Sequence, residues 1–168
     1  GVRKGPEHAE VQPRMSVGAL PLEVVREIDD LGSAVMWALD LHDLPRYLDA
    51  FWPEAVFVER DGTGVDRVLT GRDEIEADTA VRFAAPTGHQ HRLANPRYRG
   101  IDAATVEVWH YYATSVVDPV TGSITIGSTG WLHDVLERRD GELRILRRAV
   151  GPWTGTMDRP APGSPSLD

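Results

Sequence analysis

Two alternating stretches of the sequence carry the residue types that move protons. In Gly88-His89-Gln90-His91-Arg92-Leu93-Ala94-Asn95-Pro96 a period of two puts His89, His91, Leu93 and Asn95 on one side. In Thr105–Val117 the same period gives Val106, Val108, His110, Tyr112 and Thr114 one shared face, and Trp109, Tyr111 and Ala113 the other. An imidazole on such a face becomes a useful base when a buried carboxylate holds one ring nitrogen. The carboxylate fixes the tautomer and stabilises the imidazolium formed when the other nitrogen takes a proton. Asp40, three residues after Trp37 at the far end of a helical stretch, is a carboxylate in a position to meet a facing strand. Taken singly, Asp40 also fits an exposed helix end, and His91 a satisfied or exposed histidine. His89-x-His91 also reads as half of a metal site, although no cysteine and no clear third or fourth ligand accompanies it.

The elements that would hold these residues are legible from periodicity. Pro21 suits a first helical turn, and Val24, Ile28, Leu31, Val35 and Ala38 recur on one face of a helix. Asp43 is placed as the N-cap of a short second helix with Pro45 in its first turn and Leu44, Tyr47, Leu48 and Phe51 along it; Pro53 is expected to end it. Ala55–Glu59 and Arg67–Leu69 flank the turn-rich Asp61-Gly62-Thr63-Gly64 and predict a hairpin. Thr70 and Asp73 resemble a capping box for a third helix through Ile75, Ala80 and Phe83, stopped by Pro86-Thr87-Gly88. Four long strands are then expected over His89–Arg99, Thr105–Val117, Ile124–Leu136 and Glu142–Val150, separated by turn clusters. Helices first and an antiparallel meander afterwards predict an α+β fold, with helices covering one face of a curved sheet.

Composition narrows the field of functions. The chain has 168 residues, 18 Lys and Arg against 26 Asp and Glu, a net charge of -8, and no cysteine. That length suits one domain, over about residues 20–150, between a polar segment 1–19 and a Pro- and Gly-rich segment 151–168. Both ends are expected to be flexible tails, and Met15 is a candidate natural start. Without cysteine there are no disulfides, thiolate metal sites or thiol nucleophiles. The acidic balance argues against nonspecific nucleic-acid binding, and no apolar run approaches a membrane span or a signal-peptide core. A soluble, cytoplasmic domain is the expectation.

Several segments in order resemble one family. They are Trp37-Ala38-Leu39-Asp40, Asp43, Tyr47-Leu48, Phe51-Trp52-Pro53-Glu54-Ala55-Val56-Phe57, Leu69-Thr70-Gly71-Arg72-Asp73-Glu74-Ile75, His91-Arg92-Leu93-Ala94-Asn95-Pro96, and the run from Gly130 to Ile145. Together they resemble the SnoaL-like branch of the nuclear transport factor two-like superfamily. The resemblance implies a cone, with a strongly bent, mostly antiparallel sheet wrapped around three helices and an apolar pocket at its open end. It implies cofactor-independent chemistry by an aspartate–histidine pair, as in the dehydratases, dehydrochlorinase and polyketide cyclases of the branch.

Carried over position by position, the resemblance assigns Asp40 and His91 to that pair, His110 to a second histidine on the middle strand, and Arg148 to an active-site arginine, with Arg147 as its substitute under a register slip. Leu132 stands where many relatives have tyrosine, Leu39 replaces a tyrosine before the aspartate, and Val108-Trp109-His110 lacks the Arg-x-Asp of the superfamily's epoxide hydrolase. The implied function is a lyase or isomerase, of dehydratase or cyclase type, acting on a small apolar, polyketide-like molecule without cofactor or metal. Trp37, Tyr47, Leu93, Asn95, Val108, Tyr112 and Leu132 would shape its pocket. The alternative is a non-catalytic small-molecule-binding or oxygenase β-subunit-like scaffold. A homodimer is expected through the outer sheet face, where Trp109, Tyr111, Ala113, Trp131 and His133 would lie. The bland alternative is a tail folded over that patch, with Trp153 as its cover.

Overall fold

A computed structural model of the chain describes residues 20–60, 65–85 and 88–153. The order is α1 (Leu22–Asp40), α2 (Leu44–Asp49), β1 (Phe51–Arg60), β2 (Asp66–Thr70), α3 (Arg72–Phe83), β3 (Gly88–Gly100), β4 (Thr105–Val117), β5 (Ile124–Arg139) and β6 (Glu142–Pro152). The expected tails and the Asp61–Gly64 turn lie outside the described residues, except that β6 continues to Pro152, two residues into the segment read as tail.

The six strands form one sheet in the order β2-β1-β6-β5-β4-β3. Every neighbouring pair is antiparallel except β1 with β6. This is the α+β cone expected from the sequence: the three helices are packed against one face of the sheet, and their apolar sides meet its inward rows. Ile28, Val35, Met36 and Ala38 of α1 are buried with Tyr47, Phe51, Ile75, Val108, Leu132, Leu136 and Ile145 in one core, and Val24 and Leu31 pack on its edge. Trp37 falls on the opposite side of α1. It is nine residues on from Ile28, which is two and a half turns and therefore half a turn out of phase. It is 63% exposed.

Local chemistry sets most boundaries. The Asp43 carboxylate accepts the Arg46 N–H at 3.2 Å, the cap expected for α2. α2 nevertheless stops at Asp49, and Pro53 lies inside β1 rather than ending the helix. Pro53 falls where the β1–β6 register shifts between Phe51 and Val56, an irregular stretch in which its missing N–H costs no regular ladder bond. α3 is capped differently from the expected box. Gly71, at a φ of 82°, is its N-cap, and the Glu74 carboxylate accepts the Thr70 N–H at 2.7 Å. Gly88, read as part of the helix stop, already belongs to β3. The β5–β6 hairpin turns on Asp140-Gly141, both with positive φ, as a two-residue turn of mirror type requires.

Register lines the inward side chains into rungs. Val108, Asp134, Arg148, Phe57 and Leu69 occupy one row across β4, β5, β6, β1 and β2; His110, Leu132, Val150 and Glu59 occupy the next. Nearer the open end, His91, Thr114 and Ser128 lie side by side. Gly130 permits a tight approach here, because a Cβ on it would stand 2.0 Å from the Gly151 carbonyl oxygen and 2.6 Å from the Tyr112 ring.

Candidate active site

The expected carboxylate–imidazole contact is present. An Asp40 oxygen, Oδ1, lies 2.6 Å from His91 Nδ1, and the same carboxylate accepts the His91 backbone N–H at 3.0 and 3.1 Å. The last turn of α1 therefore grips both the main chain and the ring of one β3 residue. Since a carboxylate only accepts, Nδ1 carries the hydrogen and Nε2 is left as the basic nitrogen. The pair is largely but not fully enclosed, at 25% side-chain exposure for His91 and 16% for Asp40.

His91 lines a cavity of about 440 Å³, within the range of small-molecule sites. Tyr47, Tyr112, Leu132 and Arg148 of the sequence-derived set line it as well. Its wall is mostly apolar, with Met36, Leu39, Phe57, Leu69, Ile75 and Val150, and the polar groups fall into separate patches. One is a strip of hydroxyls beside His91, where Thr114 and Ser128 are hydrogen-bonded at 2.8 Å. Burial pushes the Tyr112 hydroxyl up from its ordinary range, so it stays protonated and able to donate.

Beneath the cavity floor is a buried ionic group. Arg148, 2% exposed, donates from Nε and Nη2 to the two oxygens of Asp134, each at 2.7 Å. Burial opposes the Arg148 charge, but the attraction and hydrogen bond of Asp134 outweigh it and raise its pKa. Tyr47 lines the cavity beside Arg148, and burial pushes the Tyr47 hydroxyl up. Of the two arginines, Arg148 faces inward, as the resemblance assigned.

At the mouth, Glu59, Asp78 and Arg82 line the cavity and form a network with Arg67. Arg82 donates to Glu59 at 2.6 Å and to Asp78 at 2.9 Å; Arg67 donates to Glu59 at 2.8 Å and also pairs with Asp78. The Arg67 hydrogen bond, with help from Arg82, lowers the Asp78 pKa and keeps it a carboxylate. Sequence reasoning passed over this cluster. Its signal was the spacing Ile75, Asp78-Thr79, Arg82-Phe83, a single face of α3 that is half polar.

Four of the residues expected to shape the pocket fall outside the cavity lining, and so do His110 and Asp40, the latter reaching the cavity only through His91. Trp37 is on the solvent side of α1. Asn95 is displaced by a bulge between Ala94 and Arg97, where its φ of 52° breaks the inward alternation and leaves it exposed. Leu93 packs against α1 at Gly32. Val108 and His110 face inward as expected and share rungs with residues that line the cavity, but they lie at the β4 end of those rungs, where Ile28, Leu31 and Gly32 of α1 enclose them in a very small second cavity with Asp134 and Arg148. Burial lowers the His110 pKa below the ordinary histidine range, which makes it neutral at pH 7, and its Nδ1 has no hydrogen-bond partner.

His89 and His91 rings stand 6.2 Å apart, and among the described residues no three His, Cys, Asp or Glu are grouped to hold a metal ion. On the outer face Trp131 points away from the cavity, as expected, yet is only 3% exposed. It packs with Val58 and Ala149 under the Arg60 guanidinium. Trp109 stacks on His133, and Trp153 meets Tyr111 edge-on at 5.2 Å. Among the described residues no helix is long and apolar enough to cross a membrane.

Comparison with known proteins places this geometry in context. The chain aligns over 79% of its length with Aln2 from a Streptomyces species, of which 93% is covered, at 23% identity and a TM-score of 0.71. A Catenulispora acidiphila protein solved in complex with S-DNPA aligns over 79% of this chain and 95% of its own, at 22% identity and a TM-score of 0.67. A proposed β subunit of an aromatic-ring-hydroxylating dioxygenase from Novosphingobium aromaticivorans aligns over 83% and 97%, at 15% identity and 0.68. These likenesses establish the shared fold, which other neighbours carry under the names NTF2-like and cystatin-like. No curated protein matches the sequence. The SnoaL-like domain family matches residues 21–149, most of the chain, and with the cone and its cavity on the same residues, the protein is a member of the SnoaL-like domain family.

Proposed function

We propose that the protein is a cofactor-independent lyase or isomerase, of dehydratase or cyclase type, in which His91 Nε2 removes a proton from carbon of a small, largely apolar ring compound. The observation that carries this reading is the 2.6 Å contact of Asp40 with His91 Nδ1 at the wall of a cavity large enough for such a substrate. Asp40 holds His91 at its ring nitrogen and its backbone N–H and stabilises the imidazolium as it forms. Tyr112 donates a hydrogen bond to the carbonyl or departing oxygen, and Arg148, held by Asp134, stabilises negative charge that develops at the floor. His110, enclosed with Arg148 and Asp134 in the second cavity, does not act on substrate.

A simple β-hydroxyketone tests the reading. With 3-hydroxy-1-tetralone, loss of the C2 proton to His91 and of the C3 hydroxyl as water gives an enone that tautomerises to fluorescent 1-naphthol. Wild-type protein is expected to accelerate this elimination, and His91→Ala to lose about a hundredfold or more of the acceleration. Undiminished turnover in the His91→Ala variant would overturn the mechanism. The protein would then be read as a binding or subunit module, a use of the same fold consistent with the dioxygenase neighbour. We also propose a homodimer through the outer sheet face, resting on the half-exposed Tyr111 and Trp153. A mass of 18.5 kDa by light scattering, persisting as concentration rises, would exclude it.

A further inference from the structure

The turn that follows Asp40 carries a residue whose backbone does not suit its side chain. α1 ends with the Asp43 N–H on the Ala38 carbonyl at 2.8 Å and the His42 N–H on the Leu39 carbonyl at 3.2 Å, with His42 at a φ of 55°. This is the paired hydrogen-bond pattern of a left-handed helix stop, at the position glycine fills most readily because a Cβ is disfavoured there. Histidine here needs a reason, and an outlier of this kind at a cavity is a reason to look for function. The ring lies parallel to Phe83 of α3, centroids 4.7 Å apart and planes 11° apart, and both residues line the cavity that His91 lines. The stack thus joins the α1–α2 turn to the end of α3 and forms one side of the mouth.

We infer that His42 is a specificity-determining residue, which stacked on Phe83 forms an aromatic wall against which a flat, conjugated ring entering the cavity lies. Aromatic faces reward a planar partner over a puckered one of equal bulk, because stacking adds to area burial. The left-handed turn is what swings the His42 ring off the helix axis and across to Phe83, and it does so two residues after the carboxylate that orients His91. Glycine would serve the turn and asparagine would tolerate it; neither would supply a ring. The inference rests on the cavity being the substrate site, not on His91 being the base.

Binding therefore tests it separately from turnover. The probes are 1-naphthol and its saturated counterpart, decahydro-1-naphthol, titrated calorimetrically against wild type, His42→Gly, His42→Asn and Phe83→Leu. Wild type is expected to prefer the flat probe. Each variant should lose about three- to tenfold in naphthol affinity with little change for the saturated alcohol, in line with measured stacking contributions. The double variant His42→Asn with Phe83→Leu should lose little more than either alone, since the two rings act as one stacked wall. Melting midpoints of the two His42 variants should stay within about 3 °C of wild type, because the turn accepts both residues. Unchanged discrimination between the probes, no naphthol binding by wild type, or a melting loss of about 8 °C or more in both His42 variants would overturn this role. The last outcome would make the ring a structural prop.

Discussion

Replacing Asp134 by asparagine would strand the Arg148 charge under the cavity floor. The two residues are 4% and 2% exposed, and both carboxylate oxygens are taken up by the guanidinium. Removing one partner of so enclosed a pair typically costs about 3–5 kcal/mol, mostly because the surviving charge is left unpaired in a poorly polarisable surrounding. A domain of this size is stable by about 5–15 kcal/mol in all, so Asp134→Asn should consume roughly a fifth or more of that margin. With each kcal/mol worth roughly 3–5 °C here, the melting midpoint should fall by about 10–20 °C. Urea denaturation followed by tryptophan fluorescence measures it, with the midpoint moving and the slope constant. The double replacement Asp134→Leu with Arg148→Met removes both charges at similar volume. It should recover most of the loss, while abolishing any catalysis that depends on Arg148. If the double variant is no more stable than Asp134→Asn, the loss comes from packing and the ion-pair argument fails.

Asp40→Asn should keep the fold and the hydrogen bond to the His91 backbone in part, yet lower turnover of a β-hydroxyketone by about a hundredfold, since the ring loses its anionic partner; full activity would show that Asp40 does not act through His91. Stability should fall as pH drops from about 7 toward 5. Burial lowers the His110 and His133 pKa values below that of the unfolded chain, so the unfolded state takes up protons that the folded state refuses. His110→Gln should flatten that slope when denaturation midpoints are compared across the range, and an unchanged slope would exclude His110 as a contributor. Dialysis against a strong chelator should leave turnover intact, and loss restored by added zinc or iron would revive a metal role for His89 and His91.

Strand and helix positions were readable wherever one period ran unbroken. The alternation in β4 put Val106, Val108, His110, Tyr112 and Thr114 inward, and the heptad-like recurrence in α1 named Ile28, Val35 and Ala38 as core. Position across the sheet was not readable, because a period of two assigns a face and says nothing of which strand along a rung α1 covers. His110 and Val108 were therefore credited with a reach that α1 closes off with Ile28, Leu31 and Gly32. Asn95 failed for a different reason: a bulge flips the alternation locally, and an Asn-Pro pair signals a turn no more strongly than a bulge. Trp37 was placed by its nearness to Asp40 in sequence, although one residue is 100° of rotation on a helix. The Asp40–His91 contact joins residues 51 positions apart and was not deducible from spacing; the family resemblance supplied it. The Arg67–Glu59–Asp78–Arg82 network was hidden because each of its members resembles an ordinary surface charge until β1, β2 and α3 are assembled.

The parallel pairing of β1 with β6 sets when the molecule can finish folding. Phe57 and Arg148 are partners in that pair although more than half the chain separates them in sequence. The hairpins β3–β4, β4–β5 and β5–β6 close over short loops, so they can form early and locally. The seam between β1 and β6 must close a far longer loop before its contacts repay the lost freedom, which makes it the natural slow step. During synthesis α1, α2 and the β1–β2 hairpin emerge first and wait with one strand edge bare. The strand that finally covers that edge also brings Arg148 beneath the cavity. Completion of the sheet and completion of the cavity floor are thus one late event, and an unfinished chain holds neither a closed core nor a working site.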